Sequence, residues 1–223
     1  MRLINFLKAN RRLLFRSSLI MLAIIFAALS FFVFFEPPEY LDLHISEEIQ
    51  ENQTPDFNAI MIRISYLGRT PVSVVMVVVG ALFFYFFRLK REAVLMLSTL
   101  SSGVLGLGLK MLINRPRPTK DLVVLLEDTK YQSFPSGHVL FYTVFFGALI
   151  LIILRLKRIK YKVKIFLVTG CLSIIFFGAV SRVYLGAHWF TDVLGGFILG
   201  VLCVLLMGYF YVKNNKNVPG DVH

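Results

Sequence analysis

Carboxylates are scarce in this chain. Thirteen aspartates and glutamates stand against 24 lysines and arginines, and Asp192 is the one acid inside the segments that carry the candidate functional groups. A magnesium site wants several oxygen ligands, so this shortage argues against one. Cysteine is nearly missing too. Cys171 and Cys203 both fall within apolar runs, where a thiol behaves as a small buried hydrophobe and says nothing about redox compartment. No stretch has the composition of a soluble domain, a low-complexity segment or an internal repeat. No strand precedes Gly103, Gly106, Gly108, Gly196 or Gly200, so these glycines read as close helix contacts and not as nucleotide loops. The formal charge of +11 does not describe a nucleic-acid surface, which needs basic residues gathered on a folded soluble face; here they sit in short clusters between apolar runs.

What is abundant is hydrocarbon. The chain is 57% hydrophobic with 22 phenylalanines and a mean hydropathy of +0.73, values of an integral membrane protein. The expectation is a single all-α domain over residues 1–223 with six transmembrane helices at about 17–35, 71–87, 93–113, 139–154, 165–180 and 193–212. The first run is uncharged for roughly 28 Å of helix and lacks a small-residue cleavage pattern before Glu36, so it reads as a retained span. Glu36-Pro37-Pro38 stops it. The connector 36–70 that follows is acidic as far as residue 62 and is expected to be partly helical along the membrane surface.

Basic residues concentrate at the N-terminus, at Arg88–Arg91, at Arg155–Lys164 and in the C-terminal tail, whereas every acid except Glu92 and Asp221 lies in the alternate loops. The positive-inside bias then places both termini in the cytoplasm and the loops 36–70, 114–138 and 181–192 outside. His44 in the connector and His223 at the terminus read as solvated.

The informative stretch runs from Ser181 to Asp192. It puts a cation, an imidazole and a carboxylate at the ends of two apolar runs that have no need of charge. If the chain is helical after Gly186, His188 and Asp192 share a face at i,i+4, so the carboxylate can fix the imidazole tautomer and leave the other nitrogen free to attack. Arg182 can return over the same spot if the chain turns at Gly186. An arginine beside an oriented imidazole suits an anion attacked by nitrogen, with phosphate the natural candidate.

Lys110, Arg115, Arg117 and His138 are expected at the same side of the membrane as this segment, and ionisable groups at that depth are costly unless they pair or bind something. Arg117 lies about two helical turns beyond Lys110 and can present its fork near the same point. Pro135-Ser136-Gly137-His138 opens the fourth span, where glycine lets an anion approach the free N–H groups at the positive end of the helix, with His138 at the rim as a proton donor.

These residues carry a resemblance. Lys110 with six residues before Arg117-Pro118, then Pro135-Ser136-Gly137-His138, then Ser181-Arg182 with five residues before His188 and three more before Asp192, resemble the three-part signature of the type 2 phosphatidic acid phosphatase (PAP2) superfamily. Arg115 duplicates the Arg-Pro unit and is an extra beside it. The resemblance implies a PAP2/haloperoxidase-like helical core. It implies His188 as the nucleophile of a phosphohistidine intermediate, Asp192 as its orienting carboxylate, and His138 as acid and then base. Lys110, Arg117, Ser136, the Gly137 amide and Arg182 would hold the phosphoryl oxygens. No metal and no cofactor are expected.

The partners expected are the bilayer and a lipid phosphate, with no nucleic acid and no obligatory protein partner. Undecaprenyl diphosphate or phosphatidylglycerophosphate leads among substrates. A lipid A 1-phosphatase or a lipid phosphotransferase of the same family is the alternative. From other classes, a non-catalytic lipid-binding protein or an anion transporter remains, although a transporter should carry charge deep in several spans. Tyr131, Phe134, Trp189 and Phe190 are expected to rim the site. Leu122 to Leu126 form an apolar patch suited to acyl chains.

Overall fold

A computed structural model describes residues 10–127, 129 and 131–213. Among the described residues nine helices make up the regular structure: α1 Arg11–Phe35, α2 Glu39–Gln50, α3 Pro55–Tyr66, α4 Thr70–Phe86, α5 Lys90–Ser98, α6 Ser101–Ile113, α7 Gly137–Arg155, α8 Tyr161–Tyr184 and α9 Phe190–Lys213. Among them α1, α5 with α6, α7, α8 and α9 give five segments long and apolar enough to cross a membrane, and α3 with α4 forms a sixth that is bent by 58°. Their outward faces carry Phe31, Phe86, Val104, Phe166 and many similar exposed side chains. Such a surface is stable only against lipid, and helices satisfy their own backbone there. The chain is therefore a multi-pass integral membrane protein, as its composition requires.

The helix ends follow from local sequence. After Phe35 the two prolines cannot continue α1, and the Glu36 N–H closes its last turn on the Phe32 carbonyl at 2.9 Å. Thr54 caps α3 by accepting from the Phe57 N–H, with Pro55 in the first turn where its missing donor costs nothing. Between α5 and α6 a run of hydroxyls bonds back to carbonyls three residues earlier, Thr99 to Met96 at 2.6 Å and Ser102 to Thr99 at 2.7 Å, and this competition loosens the ladder there.

The connector 36–70 is helical in two pieces, α2 and α3; α3 buries Met61 against Tyr184 and Leu185 at the end of α8 and, after a 58° bend, α4 begins at Thr70, next to the expected start at 71. One expectation is corrected. Only some of the named glycines serve helix contact. A Cβ on Gly196 would stand 2.6 Å from the Ser136 carbonyl and one on Gly200 2.5 Å from Thr143, whereas Gly103 and Gly108 face open space. The first pair lets α9 lie directly on α7, and α7 in turn is the most enclosed helix, with Val139, Tyr142, Val144 and Ile152 fully buried.

Candidate active site

The polar centre forms where α6 and α8 end and α7 and α9 begin. Its form starts with one turn. Gly186 has φ +67°, a left-handed conformation that side chains resist, and a Cβ there would strike the Val124 carbonyl at 2.4 Å. The N–H groups of Ala187 and His188 both fold back onto the Arg182 carbonyl, at 3.1 and 3.2 Å. His188 is thereby held in the turn ahead of α9 and not on a helix, which corrects the expected i,i+4 helical geometry. The pairing survives because Asp192 sits in the first turn of α9, with its Oδ2 3.4 Å from His188 Nδ1. The Trp189 N–H donates to the same oxygen at 2.9 Å.

Nε2 of His188 accepts from Arg117 Nη1 at 3.2 Å, so the network assigns the Nδ1–H tautomer facing Asp192. Burial, followed by the positive charges of Arg117, Lys110 and Arg182, holds the His188 imidazole well below its ordinary range. A neutral ring with a lone pair at Nε2 is the result. Arg117 reaches it by a route other than the one expected. Asn114 adopts φ +48° and ends α6, so the arginine arrives from a loop and is fixed by donating from Nε to the Tyr131 carbonyl and from Nη1 to the Ala187 carbonyl at 2.5 Å. Burial and the neighbouring Arg182 lower its pKa to about 10.

Lys110, almost fully buried in the last turn of α6, donates to the carbonyls of Gln132 and Ser133 at 2.6 and 3.0 Å. Neither Lys110 nor Arg117 meets a carboxylate within ion-pair distance among the described residues. Arg182 differs. It donates to Glu127 Oε2 at 2.7 Å and to Ser65 Oγ, and its buried Nε has no partner. Burial alone would raise the Glu127 carboxyl, but the Arg182 charge and the bonds from Arg182 and Ser65 carry it below the usual range.

Ser136 precedes the first residue of α7, and its hydroxyl, fully buried, bonds to nothing. The first-turn N–H groups that follow, from Gly137 on, have no carbonyl within the helix to meet. His138 Nε2 is likewise buried and unpartnered. The bend between α3 and α4 closes over this ring, since a Cβ on Gly68 would lie 2.4 Å from His138 Cδ2. Three orphaned polar atoms, Ser136 Oγ, His138 Nε2 and Arg182 Nε, thus sit at one end of the bundle with two cations that lack a carboxylate. Buried polar groups are seldom left so, and together they fit an anion with several oxygens.

All eight residues expected at the site come to this end of the bundle. Phe134 does not rim it: it is wholly buried against Phe26 and Gly195, while Tyr131 is exposed. The apolar patch is split, with Val123 turned inward and Leu122 and Val124 half exposed. His44 is exposed beside Glu48, and His223 lies outside the described residues. Four contributors were not anticipated. Ser133 donates to Asp192 Oδ2, Glu127 and Ser65 hold Arg182, and Asp42 of α2 holds Arg115. Ser133 stands only two residues ahead of Pro135-Ser136-Gly137-His138, a signal that was present. The others have none in local sequence. No group of three or more His, Cys, Asp or Glu side chains that could hold a metal ion is found among the described residues.

Fold and site together define a multi-pass, all-helical membrane protein with a buried imidazole–carboxylate pair among cations. Residues 91–216, more than half of the chain, match the PAP2 superfamily, and the chain belongs to it; it is a PAP2-type lipid phosphatase. It is similar to phosphatidylglycerophosphatase B of Bacillus subtilis strain 168, 31% identical over 162 residues that cover 71% of this chain and 77% of the relative. It is also similar to an undecaprenyl-diphosphatase of Sulfolobus acidocaldarius, 32% identical over 157 residues, 68% of this chain and 69% of the relative. Among solved structures, the PAP2-type phosphatidylglycerolphosphate phosphatase from Bacillus subtilis superposes with a TM-score of 0.77 at 25% identity, over 92% of this chain and 98% of that one. Aquifex aeolicus LpxE superposes with a TM-score of 0.59 at 26% identity, over 78% and 95%.

Proposed function

We propose that this protein hydrolyses a phosphomonoester or diphosphate of a membrane lipid through a phosphohistidine at position 188, without a metal ion. The observation that carries the reading is the set of unpartnered donors around a neutral, oriented imidazole. In the first step His188 Nε2 attacks phosphorus, the bond from phosphorus to the leaving oxygen breaks, and His138 Nε2 delivers a proton to that oxygen. In the second step His138 takes a proton from water, the water oxygen bonds to phosphorus, and the P–N bond breaks. Asp192 holds Nδ1–H through both steps. Lys110, Arg117, the Arg182 Nε–H, the Ser136 hydroxyl and the Gly137 amide hold the phosphoryl oxygens as charge develops on them. The distribution of basic residues supports cytoplasmic termini, which puts the site at the extracytoplasmic face.

For substrate, undecaprenyl diphosphate and phosphatidylglycerophosphate are favoured, in keeping with the names of the relatives. A groove of about 460 Å³ has Arg115 and Arg117 at its polar side and Pro37, Tyr40, Leu43, Leu122 and Trp189 on its apolar walls. A lipid phosphate fits that division, head at Arg117 and chain along the wall. Replacing Leu122 and Val124 together by serine is expected to raise KM for a long-chain lipid phosphate at least roughly tenfold, since two exposed aliphatic contacts are lost, with little change for a soluble phosphate ester. Equal changes in KM for both substrates would remove the loop from lipid recognition. The test of the reaction itself is phosphate release from a panel of lipid phosphates in detergent. Release is expected to survive EDTA and to be blocked by vanadate; loss of activity on chelation, restored by a divalent ion, would overturn the metal-free mechanism.

A further inference from the structure

Arg115 has no part in the mechanism above, yet it is buried with both ends of its fork occupied. Nη2 donates to Asp42 Oδ2 at 2.6 Å, and Nη1 donates to Asp192 Oδ1 at 2.6 Å and to Thr191 Oγ1 at 2.8 Å. Asp42 in turn accepts from the Thr191 N–H on Oδ1 and from the Thr191 hydroxyl on Oδ2, each at 2.8 Å. Of the acids between residues 36 and 62, Asp42 is the one that is buried, and it is wholly so; the rest are exposed. An acid of a surface helix is therefore drawn 149 residues along the chain to the start of α9.

We propose that Asp42 is a positioning residue that sets the charge and the orientation of Asp192 through Arg115. The two oxygens of Asp192 do different work. Oδ1 meets Arg115, while Oδ2 takes the Ser133 hydroxyl, the Trp189 N–H and the His188 ring. A guanidinium facing Asp192 alone would neutralise it in a poorly screened interior and weaken its hold on His188 Nδ1–H. Asp42 takes up the other half of that fork, so one cation serves two carboxylates and a net negative charge remains for the imidazole. The clamp on the Thr191 N–H and hydroxyl also fixes the first turn of α9, which carries Asp192. The inference rests on the phosphatase reading and adds to it a second carboxylate, from a helix outside the signature segments.

The test is steady-state and single-turnover kinetics of wild type, Asp42→Asn, Arg115→Met and the double variant, with detergent-solubilised protein and a lipid phosphate. Asp42→Asn is expected to lower kcat and the rate of phosphoenzyme formation roughly 10- to 100-fold, the size of coupling among contacting charged groups, while KM stays within about threefold because Asp42 touches no phosphate donor. In the Arg115→Met background the same change is expected to have a much smaller effect, because the ion pair is already broken and only the bonds to Thr191 are left to weaken. A kcat for Asp42→Asn within twofold of wild type, or a full multiplicative loss in the double variant, overturns the inference. Thr191→Val removes the bridging hydroxyl at equal shape, and its kcat must also fall several-fold with KM unchanged; this variant decides the matter if Asp42→Asn does not fold. Absence of phosphate release by wild type, or His188→Ala as active as wild type, would instead defeat the phosphatase reading itself.

Discussion

Alanine at position 188 is expected to abolish phosphate release, by roughly 10,000-fold or more, while leaving the protein folded and able to bind a phosphate ester. The size of the loss follows from what the ring does. If Nε2 forms a bond to phosphorus, no neighbouring group can replace it: Arg117 stays a cation with its pKa lowered only to about 10, Lys110 is tied to the Gln132 and Ser133 carbonyls, and Ser136 has no base within hydrogen-bond distance. Binding should persist because the donors that hold the phosphoryl oxygens come from α6, α7, α8 and the loop after α6, not from His188. The check is a chemical quench with a substrate labelled in the phosphoryl group. Wild-type protein should yield a labelled adduct that is stable to alkali and labile to acid, as expected of a P–N bond, and its label should map to residue 188. An enzyme that turns over without such an adduct, or with label on another residue, would refute nucleophilic attack by this ring. So would a His188→Ala protein retaining more than about a hundredth of the rate.

Much of this centre could be read without coordinates because charge is conspicuous in an apolar chain. Lys110, Arg117, His138, Arg182, His188 and Asp192 all interrupt or flank hydrophobic runs, and in a membrane such positions need a reason. The same contrast located the spans. What escaped was polar chemistry placed where polar residues are ordinary. Asp42 is one acid among many in a surface connector, and Glu127 belongs to a loop; only packing, which brings residues 65 and 127 onto Arg182, separates them from solvated neighbours. Paths through loops were equally hidden. The left-handed residue Asn114 turns the chain so that Arg117 reaches His188 from outside α6, and the turn at Gly186 lets a non-helical His188 keep the carboxylate that a helical spacing had suggested. Endpoint chemistry was legible, whereas the backbone route to it depended on contacts between distant segments.

The clearest separation of the two chemical steps comes from His138→Ala. With a lipid monoester or diphosphate the leaving oxygen departs poorly unless protonated, and losing the general acid is expected to slow phosphoenzyme formation roughly 100- to 10,000-fold. With p-nitrophenyl phosphate the leaving group is stable as an anion and needs no proton, so that first step should stay within about tenfold of wild type. The second step uses the same ring as a base and should be slow for either substrate. The variant is therefore expected to give a burst of nitrophenol close to one equivalent per enzyme, followed by slow turnover, and no burst with the lipid. The structure motivates this division: His138 Nε2 is buried in the first turn of α7 with no hydrogen-bond partner among the described residues to commit it to a structural role, and its ring is enclosed by Gly68 and by Tyr142 at 6.4 Å. Equal slowing of the first phase with both substrates would mean that the ring only shapes the pocket. A burst with nitrophenyl phosphate alone would fix it as the group that first gives the proton and then takes it back, which the tautomer of His188, with its one N–H committed to Asp192, leaves His188 unable to do.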